Sequence, residues 1–525
     1  MSPIPSMIYN AAVGGHVTNS QQIIDENLNR EQNDINEEVV AVPYNATTPN
    51  GMGKIVLKKN DNFKQVVEAQ TNGNTIFVIK YDFTLTGNVN IPANCIFQFE
   101  GGSINAGSGE NMNTITGNLT KISGTAIYIN PNITFAGSFV LNTVYVDWFI
   151  KERTYGGYVD NAINAAIQLA KLALTSLTFG GNVQSNWTYK TSVGNFDISG
   201  LTVYGNGATI MALGQNGNSL FVSSGKIIVK DLTLSTFPYP TQEITTNEKG
   251  IKLNDYNGVD VIIDGCNFDG FDVGIHIYKS WNVRITNCNF MRGRVGILSE
   301  GLSANNIITN CTIRVTTDIT THNRESACIT ISGGTEGYII SNNTILGGVF
   351  GIQLLGGSNT IISDNIIDLQ KGSCIRQVGN NVGLFVHHNY LGLHDEQTAC
   401  FVYIIYHDVQ NNEDCTLWYV DNKFKLYGRK NEQEEVLPFR AWGFFNINSS
   451  HIKSMNITGN CFQTTFRYSN RLPILSGQNN AWTIDALVFT NNFYDVYPVA
   501  QDSDIWPQSS DSHFSKLAED NNIWI

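Results

Sequence analysis

An eight-residue phrase that returns through the second half of the chain constrains its fold more than any other feature. It reads Val261-Ile-Ile-Asp-Gly-Cys266-Asn-Phe268, then Val283-Arg-Ile-Thr-Asn-Cys288-Asn-Phe290, then Asn306-Ile-Ile-Thr-Asn-Cys311-Thr-Ile313. Asparagine takes the cysteine's place in the phrases built around Asn343, Asn365, Asn389, Asn422, Asn460 and Asn492. Apolar residues at the first, third and last positions alternate with polar ones at strand period, and each phrase then turns at Asn or Gly. The closest recurrences are 22 to 24 residues apart, as from Cys266 to Cys288 and from Asn365 to Asn389. That interval is too short for a βαβ crossover and its return, and right for one turn of a coil with two or three strands. The fold class this predicts is all-β: a right-handed parallel β-helix.

Successive coils of such a solenoid rise by about 4.8 Å, so the sixth residues of the phrases stack. Cys266, Cys288 and Cys311 begin one ladder and the asparagines continue it, with amides bonding up and down the column to satisfy bent backbone away from water. One cysteine per coil supplies no tetrahedral ligand set, so the thiols are read as structural rather than metal-binding. The nine cysteines form an odd set without close pairs, read as reduced small hydrophobes.

Only 15 % of residues are charged and the formal net charge is −13, with no basic block. Phosphate binding needs a cationic stripe, so nucleic acid is excluded as the main partner. The N-terminus lacks a basic segment followed by an apolar one, and no stretch approaches 18 consecutive apolar residues. The expectation is a protein with neither a signal peptide nor a membrane span.

Residues 13–42 differ from the rest. Val17, Gln21, Ile24, Leu28 and Ile35 fall on an approximate heptad seam, interrupted by Glu31 and Glu38. So polar a helix finds no partner within one chain, which predicts a coiled coil or docking to a larger assembly. A partly ordered tail is the alternative. A β-rich neck follows, with short units such as Thr75-Ile-Phe-Val-Ile and Ile133-Thr-Phe-Ala-Gly137. One helix is expected in the body, from Asp160 to Leu172, with Asp160 as its N-cap and Ala162, Ile163, Ala166, Ile167 and Ala170 on one face. It would cover the open end of the solenoid. The expected organisation is residues 1–50 for the helix and linker, 51–145 for the neck, 146–497 for the β-helix and 498–525 for a C-terminal cap.

Two stretches carry a family resemblance. Asp160 to Leu172, followed by Leu177-Thr-Phe-Gly-Gly, Tyr189 and Val203-Tyr-Gly-Asn-Gly-Ala-Thr-Ile, resembles the entry to the pectate-lyase-like superfamily. Asn74-Thr-Ile-Phe-Val-Ile, Ile91-Pro-Ala-Asn-Cys-Ile-Phe-Gln-Phe-Glu-Gly-Gly-Ser-Ile and Val146-Asp-Trp-Phe resemble a module of tail spikes and fibres of phages infecting Bacteroides-type gut bacteria. Tyr9-Asn-Ala-Ala-Val-Gly-Gly-His-Val resembles their virion-anchoring ends. The resemblance implies a homotrimeric tail protein, made in the host cytoplasm, attached to other tail proteins and binding host surface polysaccharide. Where many relatives carry Gly-Asp-Gly before the helix, this chain has Thr154-Tyr-Gly-Gly-Tyr-Val-Asp160, and it lacks the compact acidic and His-Gly signatures of polygalacturonases. Depolymerase activity, hydrolase or lyase, therefore stays open against a non-enzymatic receptor-binding or structural role, with a secreted bacterial enzyme as a third reading.

On a solenoid a glycan lies across several coils, so its contacts should be outward residues at equivalent positions. Aligning the strands after each phrase gives His276, Leu298, Thr330, Gln353, Arg376 and Tyr403 as one outward stripe. The turns before them contribute Asp272, Arg292 and Arg294, His322, Arg324 and Glu325, Asp368 and Lys371, then His394, Asp395 and Glu396. Glycoside hydrolysis needs two carboxyl groups roughly 5–9.5 Å apart, for which Asp272, Glu325 and Asp368 are the candidates, two coils separating each consecutive pair. His276, Arg294, His322, Arg376 and Tyr403 are the candidate sugar contacts. In a lyase, Arg294, His322 or Arg376 would act as base or hold a uronate. No cofactor is expected and no metal site: His387 and His388, adjacent on a strand, should point to opposite faces and so fail to share one ion.

Overall fold

The computed structural model describes residues 46–47, 51–108, 113–151, 157–180, 188–212, 218–236, 248–254, 261–316, 326–394, 402–409, 415–427, 441–448, 451–464, 474–476, 482–495 and 514–524. The helix expected within 13–42 and most of the C-terminal cap lie outside them. Among the described residues the strands form sheets of 23, 13, seven and three strands. Apart from the hairpin-like pairing of Ala46–Thr47 with Gly53–Val56, the paired strands run parallel, as a coil requires. The chain is a right-handed parallel β-helix.

Each coil has three faces. The first carries the phrase strand (Val261–Asp264, Val283–Thr286, Ile307–Thr309), the second a short strand after the corner (Asn267–Asp269, Asn289–Gly293, Thr312–Val315), and the third a longer one (Val273–Tyr278, Val295–Glu300, Ala327–Ser332). Pairing of third-face strands with the next first-face strand joins both faces into the 23-stranded sheet, while the second face is the 13-stranded one. Inside, like stacks on like. Ile263, Ile285, Ile308, Ile340 and Ile362 are fully buried in successive coils, and the rings of Phe268 and Phe290 stack at 4.8 Å. Gly274 faces that stack: a Cβ there would lie 2.6 Å from the Phe290 ring, so the corner is closed by phenylalanine and left open by glycine.

The ladder forms, and its chemistry explains the change from cysteine to asparagine. The backbone N–H of Asn343 donates to Oδ1 of Asn365 (2.9 Å); its Nδ2 donates to the same oxygen (3.0 Å) and to the carbonyl of Ile308 (3.0 Å). The same N–H to Oδ1 bond links Asn365 to Asn389, Asn389 to Asn422, Asn422 to Asn460 and Asn460 to Asn492, and continues beyond the recognised phrases to Asn522. In the lower coils the thiols of Cys266, Cys288 and Cys311 donate to the carbonyl two residues back, at 3.4, 3.2 and 3.3 Å. The amides of Asn389 and Asn460 do the same. The eight cysteines among the described residues are free, and seven of them are buried.

The residue before each rung turns the corner in the left-handed region: Asn287, Asn310, Asn342, Asp364, His388, Asp421 and Asn491 have φ of 53–57°. Asn, Asp and His are the non-glycine residues that tolerate this conformation best.

At the base of the coil the helix Asp160–Leu172 packs between the neck strand Thr134–Phe139 and the first coil strands. Its cap differs from expectation. Val159 is the N-cap, and the Asp160 carboxylate accepts instead from the backbone of Ser192 (3.0 Å) and Val193 (3.3 Å), tying the helix to the first coil. Gln168 bonds the backbone of Phe135 from the opposite side. A second, six-residue helix, Phe63–Glu68, capped by Asn62, has no counterpart in the sequence reading; two buried residues, Phe63 and Val67, give too little periodicity to reveal it.

Two predictions follow from the interior. Asn365→Ala removes the acceptor for two Asn343 donors and the donor to the Ile340 carbonyl (2.9 Å). It should lower stability by roughly 3 kcal/mol, read as a shift of the denaturation midpoint, with Asn365→Cys losing less.

His407 is fully buried, bonded through Nε2 to the Tyr419 hydroxyl (2.7 Å), and burial pushes its pKa down from 6.5 to about 3. The unfolded chain therefore binds a proton that the fold refuses. This stability is present above pH 6.5 and lost as pH falls towards 3, at about 1.4 kcal/mol per pH unit. Denaturation midpoints measured across that window should fall steeply for the wild type and less steeply for His407→Leu.

Candidate functional site

The register aligns one column along the third face, one residue per coil: Lys252, His276, Leu298, Thr330, Gln353, Arg376 and Tyr406, of which His276, Thr330 and Gln353 are buried, and above them Asn446, which is fully buried. Five of the six residues of the expected stripe lie in it. Tyr403 does not. Arg376 pairs with Tyr406, and Tyr403 is buried, with a register irregularity between Val402 and Tyr403. Tyr403-Ile-Ile-Tyr406 is apolar enough to satisfy the interior in more than one register, so the pattern alone misplaced it by three residues.

At the upper part of the column the Arg376 guanidinium lies over the Phe350 ring at 4.7 Å and near Tyr406 at 5.9 Å. Thr330 and Gln353 stand next to it, joined by a 3.4 Å hydrogen bond. The two ring faces and the planar cation are half-buried and suited to stacking with a ring laid along the axis, beside the buried Thr330 and Gln353.

The lower part is charged. His276 Nε2 lies 2.8 Å from the Glu300 carboxylate of the next coil; the imidazole side chain is 9 % exposed and the carboxylate 42 %. Burial holds the His276 pKa below its ordinary value, Lys249 and Lys252 add to the effect, and Glu300 opposes it. The imidazole is thus neutral near pH 7 and donates Nε2–H to Glu300, while Nδ1 is buried without a hydrogen-bond partner. Lys249 is also lowered, by burial first and then by Lys252, against the attraction of Asp272 and Glu300. Together these residues form a patch of two lysines beside a His–carboxylate pair, edged by the exposed Tyr278.

The expected carboxylates are arranged differently from the sequence reading. Asp272 is buried, and the Arg294 guanidinium donates to both of its oxygens, at 2.7 and 3.0 Å, so the two hold each other. Asp368 stands on the second face in the column of Asp269, Met291, Arg314 and Leu346, four coils above Asp269. That is about 19 Å along the axis, too far to act with Asp272 across a glycosidic bond. Asp368 lies within the second-face strand Ile366–Gln370 and not in a turn before the third face; alternation breaks just after it, where Leu369 is exposed with φ of 67°. Glu325, His322 and Arg324 lie outside the described residues, as do Asp395 and Glu396 and the side chain of His394. Glu300 was missed, although strand alternation signals it: two residues beyond Leu298, it pairs with Tyr278 on the same outward side. Among the described residues no group of three or more His, Cys, Asp or Glu is placed to hold a metal ion. No helix among them is long and apolar enough to cross a membrane.

Comparison with known proteins agrees on the architecture. The family described as "Right handed beta helix region" matches residues 185–367 and again 250–431. Among solved structures, the Agl-KA catalytic domain is similar at a TM-score of 0.50 and 14 % identity, covering 73 % of this chain and 68 % of that one. The DFA-IIIase of Arthrobacter chlorophenolicus A6 follows at 0.48 and 10 %, covering 72 % and 98 %. The tailspike protein of E. coli bacteriophage HK620, solved with a pentasaccharide, gives 0.46 and 10 %, covering 67 % of each chain. No curated protein matches the sequence. At these identities the likeness is one of fold.

The pairing of Asp272 with Arg294 predicts a structural role for both. Arg294→Ala, which leaves a buried carboxylate without its partner, should cost about 3 kcal/mol in a denaturation experiment. Glu300→Gln, at a half-exposed position, should leave the midpoint within about 0.5 kcal/mol of wild type.

Proposed function

We propose that this chain is a phage tail spike or tail fibre protein that binds host surface polysaccharide lengthwise along its third face. The observation that carries this reading is the in-register column, in which Arg376 lies against Phe350 and Tyr406 beside Thr330 and Gln353. From Lys252 to Tyr406 the column climbs six coil steps, about 29 Å, a length that suits an extended polymer rather than a small molecule. Lys249 and Lys252 at its lower end favour a glycan that carries negative charge. The virion setting is supported by the sequence resemblance of residues 9–210. Residues 13–42 would join three copies and attach them to other tail proteins, after synthesis in the host cytoplasm.

A second reading, depolymerisation, has one observation in its favour. The neutral imidazole of His276 and the Glu300 carboxylate form the pair among the described residues that is equipped to move a proton on this face. Glu325, two residues before the strand Ala327–Ser332, is the further carboxylate to be tested.

The experiment is binding and turnover on purified host capsule. Arg376→Ala and Tyr406→Ala should each weaken binding about tenfold, the loss of roughly 1.4 kcal/mol, with mass photometry giving three copies per particle for wild type and variants alike. New reducing ends, or absorbance of an unsaturated uronate, that vanish in Glu300→Gln or Glu325→Gln would establish cleavage. Wild-type binding by both Arg376→Ala and Tyr406→Ala would remove the third face from consideration.

A further inference from the structure

The first face carries a pair of imidazoles that the proposed glycan site does not use. His387 ends the strand Ser373–His387, and His388 turns the corner with φ of 55°. In regular β structure the two side chains would diverge, as the sequence reading assumed. The left-handed corner instead swings the second ring back, and the two Nδ1 atoms converge to 2.8 Å. One Nδ1 donates its proton to the lone pair of the other. Above the pair, Asp421 occupies the same corner of the next coil, with its carboxylate 3.6 Å from His388 Nε2; Asp364 occupies that corner one coil below. The first carboxylate favours a proton on Nε2 of His388 and so a lone pair on its Nδ1, the arrangement by which carboxylates orient metal-binding histidines. His388 is 57 % exposed and open to solutes.

We propose that His387 and His388 chelate a divalent copper or nickel ion through their two Nδ1 atoms. The ion takes the place of the single proton the nitrogens share; the donor imidazole gives up that proton from Nδ1 and takes one from solvent on Nε2, so both imidazoles stay neutral with no net proton released, no electron is transferred, and water fills the other positions. The nitrogen spacing suits a tetragonal ion once the rings turn to aim both lone pairs at it. Two nitrogens 2.8 Å apart, each about 2.05 Å from an ion, subtend about 86° there, close to the right angle of tetragonal copper(II) or nickel(II). Tetrahedral zinc would need them about 3.3 Å apart. Asp364 and Asp421, in the same corner one coil below and one above, offset the ion's charge without having to be ligands.

The test is titration of the full chain with copper(II) alone, followed by calorimetry and electron paramagnetic resonance. The expected result is one tight equivalent per chain with hyperfine splitting from two nitrogens. Affinity should fall at least about tenfold in His388→Asn, which keeps the left-handed corner, and in His387→Ser, which matches Ser363 of the adjacent coil, and about tenfold in Asp421→Asn. Thermal midpoints of the metal-free variants confirm that they fold. A wild-type protein without the tight equivalent, a spectrum with one coordinated nitrogen, or unchanged affinity in His388→Asn would each overturn the chelate and leave a histidine–histidine hydrogen bond.

Discussion

The corner hydrogen bond from each ladder asparagine's backbone N–H to the Oδ1 of the asparagine above is the interaction on which the rest depends. A coil must bend its backbone away from the sheet, and each bend leaves buried polar groups without ladder partners. The asparagine side chain supplies both an acceptor to the coil below and a donor to that coil's carbonyl, and it does so only when successive coils are in register. Where cysteine stands at the rung, the thiol keeps the donor role and gives up the strong acceptor. The ladder therefore enforces a fixed phase from coil to coil.

That fixed phase turns separate surface residues into surfaces. On the third face it lines up Arg376 with Gln353 and Tyr406, and His276 with Lys252 and Leu298, although 22 to 30 residues of chain separate neighbours from His276 to Leu298 and from Arg376 to Tyr406. On the first face it stacks Asp364, His388 and Asp421 in one corner. The left-handed φ that closes the corner also decides where the corner side chain points. A structural requirement of the coil thereby brings His387 and His388 together.

The coil, its ladder and most of the third-face column were legible in the sequence because they rest on local rules: strand alternation, a fixed repeat length and the turn preference of Asn and Gly. Three things were not. Tyr403 belongs to an apolar run that fits the interior in more than one register, so alternation alone does not fix its phase. The Asp272–Arg294 pair is a contact between coils, and the composition that made both residues candidates carries no sign that they neutralise each other. The convergence of His387 and His388 depends on a backbone dihedral rather than on spacing, and only the neighbouring Asn and Asp corners, all at φ of 53–57°, hint at it. Glu300 could have been found by carrying the alternation two residues further along its strand.

The most direct measurement is a structure of the full chain with an oligosaccharide cut from host capsule. Sugar density is expected parallel to the coil axis on the third face, with a ring against Phe350, Arg376 and Tyr406 and its anionic end towards Lys249 and Lys252. Density on the first or second face, or ordered sugar that makes no contact with this column, would contradict it.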